Sequence, residues 1–211
     1  MSLVRAFVAV EIPSPIQIAI DDQTSGLRKS ADASLVRWVK PGSVHLTLKF
    51  LGDVSTTNLP FVTQMLTAEA GQVEAFDFQV GKLGCFPNTR RPRVIWIGIQ
   101  APPVLETLQH GVESGARRLG YESEERGFSP HLTIGRVRQH LPPADLQRIQ
   151  LALESAHVGQ LGKVDVKTVH LIKSDLGPGG SVYTKLFSAP LSTKRPPLRK
   201  AAAARHERGE L

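Results

Sequence analysis

Apolar and polar positions change period along the chain, and the period marks the elements. Alternation around β-branched residues in RAFVAVEI (5–12) predicts a strand. SPIQIAIDDQTSGLRKS (14–30) switches to a helical period, with Ser14 expected as the N-cap and Pro15 at the first helical position. LVRWV and VHLTLKFLG predict two strands separated by a Pro41-Gly42 turn. A helix is expected within 55–71, with Pro60 near its start. AFDFQVGKLGCF and RVIWIGIQ predict strands, and 102–120 a helix that stops at Gly120. HLTIGRV predicts a strand, and 142–156 a helix entered through prolines. KVDVKTVHLIKSDL and SVYTKLFS predict closing strands joined by the turn-forming GPGG.

Several strands follow one another directly. That order favours an α+β fold with antiparallel sheets over a doubly wound parallel one. At 211 residues and 41% hydrophobic, the chain can bury a core of one compact domain or two small lobes. A boundary between halves is expected near 86–93 or 101–103.

Within this pattern, two strands carry the same four-residue sequence type. VHLTLKFLG (44–52) and PHLTIGR (130–136) both contain His-Leu-Thr-aliphatic. Period two places Val44, Leu46, Leu48 and Phe50 on a core face, and His45, Thr47 and Lys49 on the other. Leu132 and Ile134 likewise oppose His131 and Thr133. One such pair reads as ordinary strand surface; a second copy makes a shared site the better reading. Two imidazoles titrating near neutrality suit general acid–base catalysis, one accepting and one donating a proton. Two threonine hydroxyls suit the oxygens of a phosphodiester. His170, in TVHLIKS, has Ile172 in the threonine place and reads as structural.

Other chemistries lack support. There is no HExxH, no cysteine cluster and no carboxylate within either motif, so no metal is expected. No G-x-S-x-G, P-loop or G-x-G-x-x-G occurs. The single cysteine, Cys85, excludes an intrachain disulfide and favours a cytoplasmic setting. The short apolar run at the N-terminus reads as a strand, not as a signal or membrane segment. The net charge is +7, but residues 192–211 hold six basic against two acidic residues and so contribute +4 of it. That segment is expected to be a basic, disordered tail.

The paired HxTx motifs resemble the 2H phosphoesterase superfamily. RAFVAVEI, VRWVKPGSVHLTLKFLGDV, FPNTRRPRVIWIGI, GFSPHLTIGRVR and SDLGPGGSVYTKL follow the order seen in bacterial and archaeal RNA 2′,3′-cyclic phosphodiesterases, also called 2′-5′ RNA ligases. The resemblance covers about residues 3–190. It implies a bilobal α+β domain over 1–191, with two pseudo-symmetric lobes of antiparallel sheet flanking a central cleft and helices outside. It implies cofactor- and metal-independent hydrolysis of a terminal 2′,3′-cyclic phosphate to a 2′-phosphomonoester, and a capacity for 2′-5′ ligation. By the family pattern His45 is the proton donor, His131 the acceptor, and Thr47 and Thr133 hold phosphate oxygens. The implied partners are RNA with cyclic-phosphate ends, such as tRNA fragments, or small cyclic nucleotides, met by a monomer. A different cyclic phosphate or a 2′-5′ oligonucleotide as substrate, or RNA-end binding without catalysis, are the alternatives.

Other positions are secondary candidates. Arg136 is expected to lend charge to phosphate, or else to be a solvated strand end. Tyr183 is a candidate ligand contact. Phe50 is expected in the core. Arg90, Arg91 and Arg93 either track an RNA backbone or keep a loop solvated.

Overall fold

The computed structural model describes residues 2–177 and 180–193. The basic segment from 194 onward, and the centre of the GPGG turn, lie outside these. Among the described residues, nine strands form one sheet and four helices cover it. No helix among them is long and apolar enough to cross a membrane.

The chain runs β1 (Leu3–Glu11), α1 (Ser14–Ser30), β2 (Val36–Trp38), β3 (His45–Ser55), α2 (Leu59–Ala70), β4 (Phe76–Phe86) and β5 (Val94–Gln100). It continues through α3 (Val104–Arg118), β6 (His131–Val137), α4 (Pro143–Ser155), β7 (Gln160–Val166), β8 (Thr168–Gly177) and β9 (Gly180–Pro190). The strand order is β7-β4-β5-β6-β3-β1-β8-β9, with β2 also on β6, and every pairing of named strands is antiparallel.

Proline positions set the helix starts. Pro15, Pro60 and Pro143 occupy first-turn sites, where a missing N–H costs nothing. The expected cap at Ser14 is not formed. Pro13 takes the N-cap place without a side-chain bond, and Ser14 is already helical. Ile16, Ile20, Thr24 and Leu27 give α1 its buried stripe, and Thr24 satisfies its own hydroxyl on the Ile20 carbonyl at 2.7 Å. On α3 the stripe is Leu105, Leu108, Val112 and Ala116. A Cβ at Gly115 would lie 2.6 Å from Met65 Cγ, so glycine allows α3 to approach α2.

The sheet divides into two lobes that are interleaved in sequence. One holds β3, β1, β8 and β9, with α2 and α3 against it; the other holds β7, β4, β5, β6 and β2, with α1 and α4. The run expected as one strand at 163–176 splits at Lys167 for this reason. β7 pairs with β4 in one lobe, while β8 pairs with β1 in the other. A single cut near 86–93 or 101–103 therefore separates sequence halves but not the lobes. The lobes join through one pair, Leu46 opposite Leu132, both fully buried.

Candidate active site

The joining pair sets the site. Leu46 and Leu132 face the core, so their neighbours face away from it. With 46 opposite 132 in an antiparallel register, position 45 looks toward 133, and 47 toward 131. Each histidine therefore stands nearest the threonine of the other strand, and the two imidazoles lie on a diagonal.

Each ring is oriented by its own backbone. His45 Nδ1 lies 3.1 Å from the Ser43 carbonyl, and His131 Nδ1 lies 2.7 Å from the Ser129 carbonyl. A carbonyl only accepts, so Nδ1 carries the hydrogen in both rings. Nε2 is left as the nitrogen that takes or gives a proton. Neither threonine hydroxyl is engaged by another group among the described residues, so both remain available as donors.

Burial is the main electrostatic influence. It lowers His45 to about 4; the Ser43 carbonyl opposes this and the Arg136 guanidinium adds to it. His131 is lowered by the same causes, burial first, with Ser129 opposing and Arg136 adding. Arg136 thus acts on both rings. Its side chain is exposed, and it forms no ion pair among the described residues.

Strict alternation fails just beyond each threonine, in the same way twice. Val8 pairs with Lys49 and Ala9 with Thr47, which leaves Leu48 as a bulge. Ile95 pairs with Gly135 and Trp96 with Thr133, which leaves Ile134 as a bulge. The extra residue reverses the faces. Lys49, expected beside His45 and Thr47, turns inward and is 5% exposed. There its Nζ bonds Glu113 Oε1 at 2.7 Å and the Glu122 carbonyl. Phe50, expected in the core, turns outward and is 59% exposed. Arg136 is the matching position of the second copy, and its bulge turns it onto the histidine face.

Aromatic rings complete the walls. Phe7 stacks on the His45 ring at 4.6 Å, and Tyr183 meets it edge-on at 5.1 Å. Phe50 lies 5.9 Å from Phe7. On the other side Phe86 meets His131 edge-on at 5.0 Å and lies 5.2 Å from Trp96. Tyr183 therefore belongs to the site's wall, as do Phe7, Phe50, Phe86 and Trp96, which sequence reasoning misses. The only signal for Phe7 is that it is the one aromatic ring in β1.

His170 does not join the pair. It is buried, with Nδ1 2.9 Å from Ser188 Oγ and Nε2 3.5 Å from Glu11 Oε2. Among the described residues no group of three or more His, Cys, Asp or Glu side chains is arranged to hold a metal ion. Two further concavities lie away from the histidines. One, of about 560 Å³, runs along Glu74–Gln79, Gln100–Pro102 and Val104; the other, of about 210 Å³, lies between α2 and α3.

One face of the antiparallel sheet thus offers two oriented imidazoles, two hydroxyls unengaged among the described residues and a guanidinium that acts on both rings, a set suited to a phosphoesterase. The sequence relationships agree with the geometry. The model of the LigT-like phosphoesterase family matches residues 10–96 and again 97–183, and the chain belongs to that family. A Methanothermobacter thermautotrophicus protein named RNA 2′,3′-cyclic phosphodiesterase is 32% identical over 183 residues, covering 87% of this chain and 96% of that one. Another of the same name from Archaeoglobus fulgidus is 32% identical, covering 86% and 97%. The crystal structure of E. coli LigT complexed with 3′-AMP superposes with a TM-score of 0.71 at 25% identity, over 90% of this chain and 99% of that one. A Thermus thermophilus structure gives 0.72 at 27% identity, over 89% and 97%.

Proposed function

We propose that this chain hydrolyses the 2′,3′-cyclic phosphate at an RNA end to a 2′-phosphomonoester. The observation that carries the reading is the doubled imidazole with Nδ1 fixed on a carbonyl and Nε2 free. Water attacks phosphorus as His131 Nε2 takes its proton. The P–O3′ bond breaks as His45 Nε2–H protonates the departing oxygen. Thr47, Thr133 and Arg136 hold the non-bridging oxygens. The base of the terminal nucleotide stacks at Tyr183 and the exposed Phe50. A 5′-hydroxyl in place of water gives a 2′-5′ linkage by the same proton transfers, so hydrolysis and ligation share the site. The names of the relatives at about one-third identity support the substrate class.

The test supplies an oligoribonucleotide with a 2′,3′-cyclic end, in the presence of EDTA, and identifies the phosphorus product by 31P NMR. The expected product is the 2′-phosphate. His45→Ala and His131→Ala should each lower kcat by about 10²- to 10⁴-fold, with unchanged circular dichroism. A 3′-phosphate product, or near-native turnover by either variant, would sink the assigned roles.

A further inference from the structure

Besides Arg136, three further exposed arginines at this end of the site, Arg37, Arg90 and Arg91, make no side-chain hydrogen bond or ion pair among the described residues. Arg37 of β2 is the direct cross-strand neighbour of Arg136 on β6. Val36 is buried, and the Trp38 indole donates to the Ala31 carbonyl at 2.8 Å under α1. The residue between them therefore projects to the opposite face, the one that carries Arg136 and the histidines. Two like charges opposite each other on one face of a sheet repel. Among the described residues no carboxylate pairs with either, since the ion pairs are made by other cations.

The loop after Phe86 adds to the same end. Phe86 and Val94 are the terminal pair of β4 and β5, and Val94 in turn pairs with Arg136. In the loop between them, Asn88 Oδ1 accepts from the backbone N–H groups of Arg90 and Arg91, each at 3.1 Å. The turn is thereby fixed, while both arginine side chains make no hydrogen bond or ion pair among the described residues. Phe86 itself touches His131. Positive charge thus begins at Arg136, beside the neutral imidazoles, and extends to Arg37 on the neighbouring strand and to the Arg90–Arg91 turn that leads into Val94. The opposite wall is aromatic and carries the Glu11–Lys185 ion pair.

We infer that this end is a phosphate track, on which the nucleotides preceding the cyclic end lay their backbone across Arg37, Arg90 and Arg91. The inference rests on the phosphodiester reading of the histidine pair, and it names the substrate as an oligonucleotide rather than a mononucleotide. Uncompensated like charges beside a phosphate site, held by a sheet register and an Asn-fixed turn, are matched by a polyanion of regular spacing.

Salt dependence reads the track. Binding of an octaribonucleotide with a terminal 2′-phosphate is compared with that of a nucleoside 2′-monophosphate from 50 to 500 mM salt. Three additional phosphate contacts steepen the slope of log K against log[salt] by about 2, or about 100-fold across that range. Arg37→Gln should flatten the oligonucleotide slope by about 0.7, and the triple variant Arg37→Gln/Arg90→Gln/Arg91→Gln should remove the difference. Equal slopes for the two ligands, or a triple variant that keeps the full oligonucleotide slope, would overturn the track. If the triple variant does not fold, Arg37→Gln alone decides by the same criterion. Turnover of a nucleoside 2′,3′-cyclic phosphate is measured separately. Its absence with the slope difference intact refutes the hydrolytic reading and leaves the track standing.

Discussion

His45 poses the sharpest test, because its place in the free protein opposes its proposed role. Burial, with Arg136 adding to it, lowers its pKa to about 4. At pH 7 such an imidazole is protonated in roughly one molecule in a thousand. A proton donor must carry its proton when the substrate is bound. Restoring half-protonation at pH 7 requires about 4 kcal/mol, at 1.36 kcal/mol per pH unit. One negative charge roughly 4 Å from the ring, at an effective dielectric of about 20, supplies about 4 kcal/mol. The substrate's own phosphate charge is therefore sufficient to load the acid. NMR titration of the His45 imidazole checks this, with and without saturating sulfate, a tetrahedral oxyanion that stays ionised between pH 4 and 8. The midpoint should lie near 4 in the free protein and move to near neutrality when the site is filled. A midpoint that stays near 4 while Thr47 and Thr133 report bound sulfate would refute His45 as the donor. It would leave His131 as the ring that holds the proton.

Further expectations concern stability and the wall of the site. The unfolded chain binds a proton at His45 near pH 6.5, whereas the folded chain does so only near 4. Stability should therefore be full above about 6.5 and fall as pH drops toward 4, by about 3 kcal/mol from this group. Thermal unfolding of the native protein and of His45→Asn across that range checks the sign, since the variant should lose less. Lys49→Met leaves the partly buried Glu113 carboxylate without its cation and should cost about 3 kcal/mol in urea unfolding, most of it recovered in Lys49→Met/Glu113→Leu. A single-variant cost under about 1 kcal/mol would contradict the buried pair. Phe50→Ala should leave stability nearly unchanged, because the ring is exposed, and raise KM for a cyclic-ended oligonucleotide by about 10-fold. An unchanged KM with lost stability would return Phe50 to a structural part.

Much of this protein is written in local pattern. The 3.6-residue stripes of α1 and α3, the proline-marked helix starts and the alternation of β1 are properties of neighbouring residues, and they determine the elements wherever the chain lies. The repeated HLTL and HLTI also determine that an imidazole and a hydroxyl share a strand face, because the pleat has period two. Beyond each threonine, local pattern no longer decides. Whether Lys49 or Phe50 turns inward depends on a bulge at Leu48. The bulge depends in turn on the register with β1 and on Glu113 and the Glu122 carbonyl, which wait for the lysine from a distant part of the chain. Arg136 reaches the histidine face through the matching bulge at Ile134, set by β5. The aromatic walls come from β1, β3, β4, β5 and β9, strands that only the sheet order brings together. The interleaving of the lobes, with its break at Lys167, is likewise a consequence of which edges pair. Sequence alone thus determines the elements and the chemistry of two strands. Register and long-range pairing, which are cooperative over the whole sheet, decide what surrounds that chemistry, how its protons are held and where its charge leads.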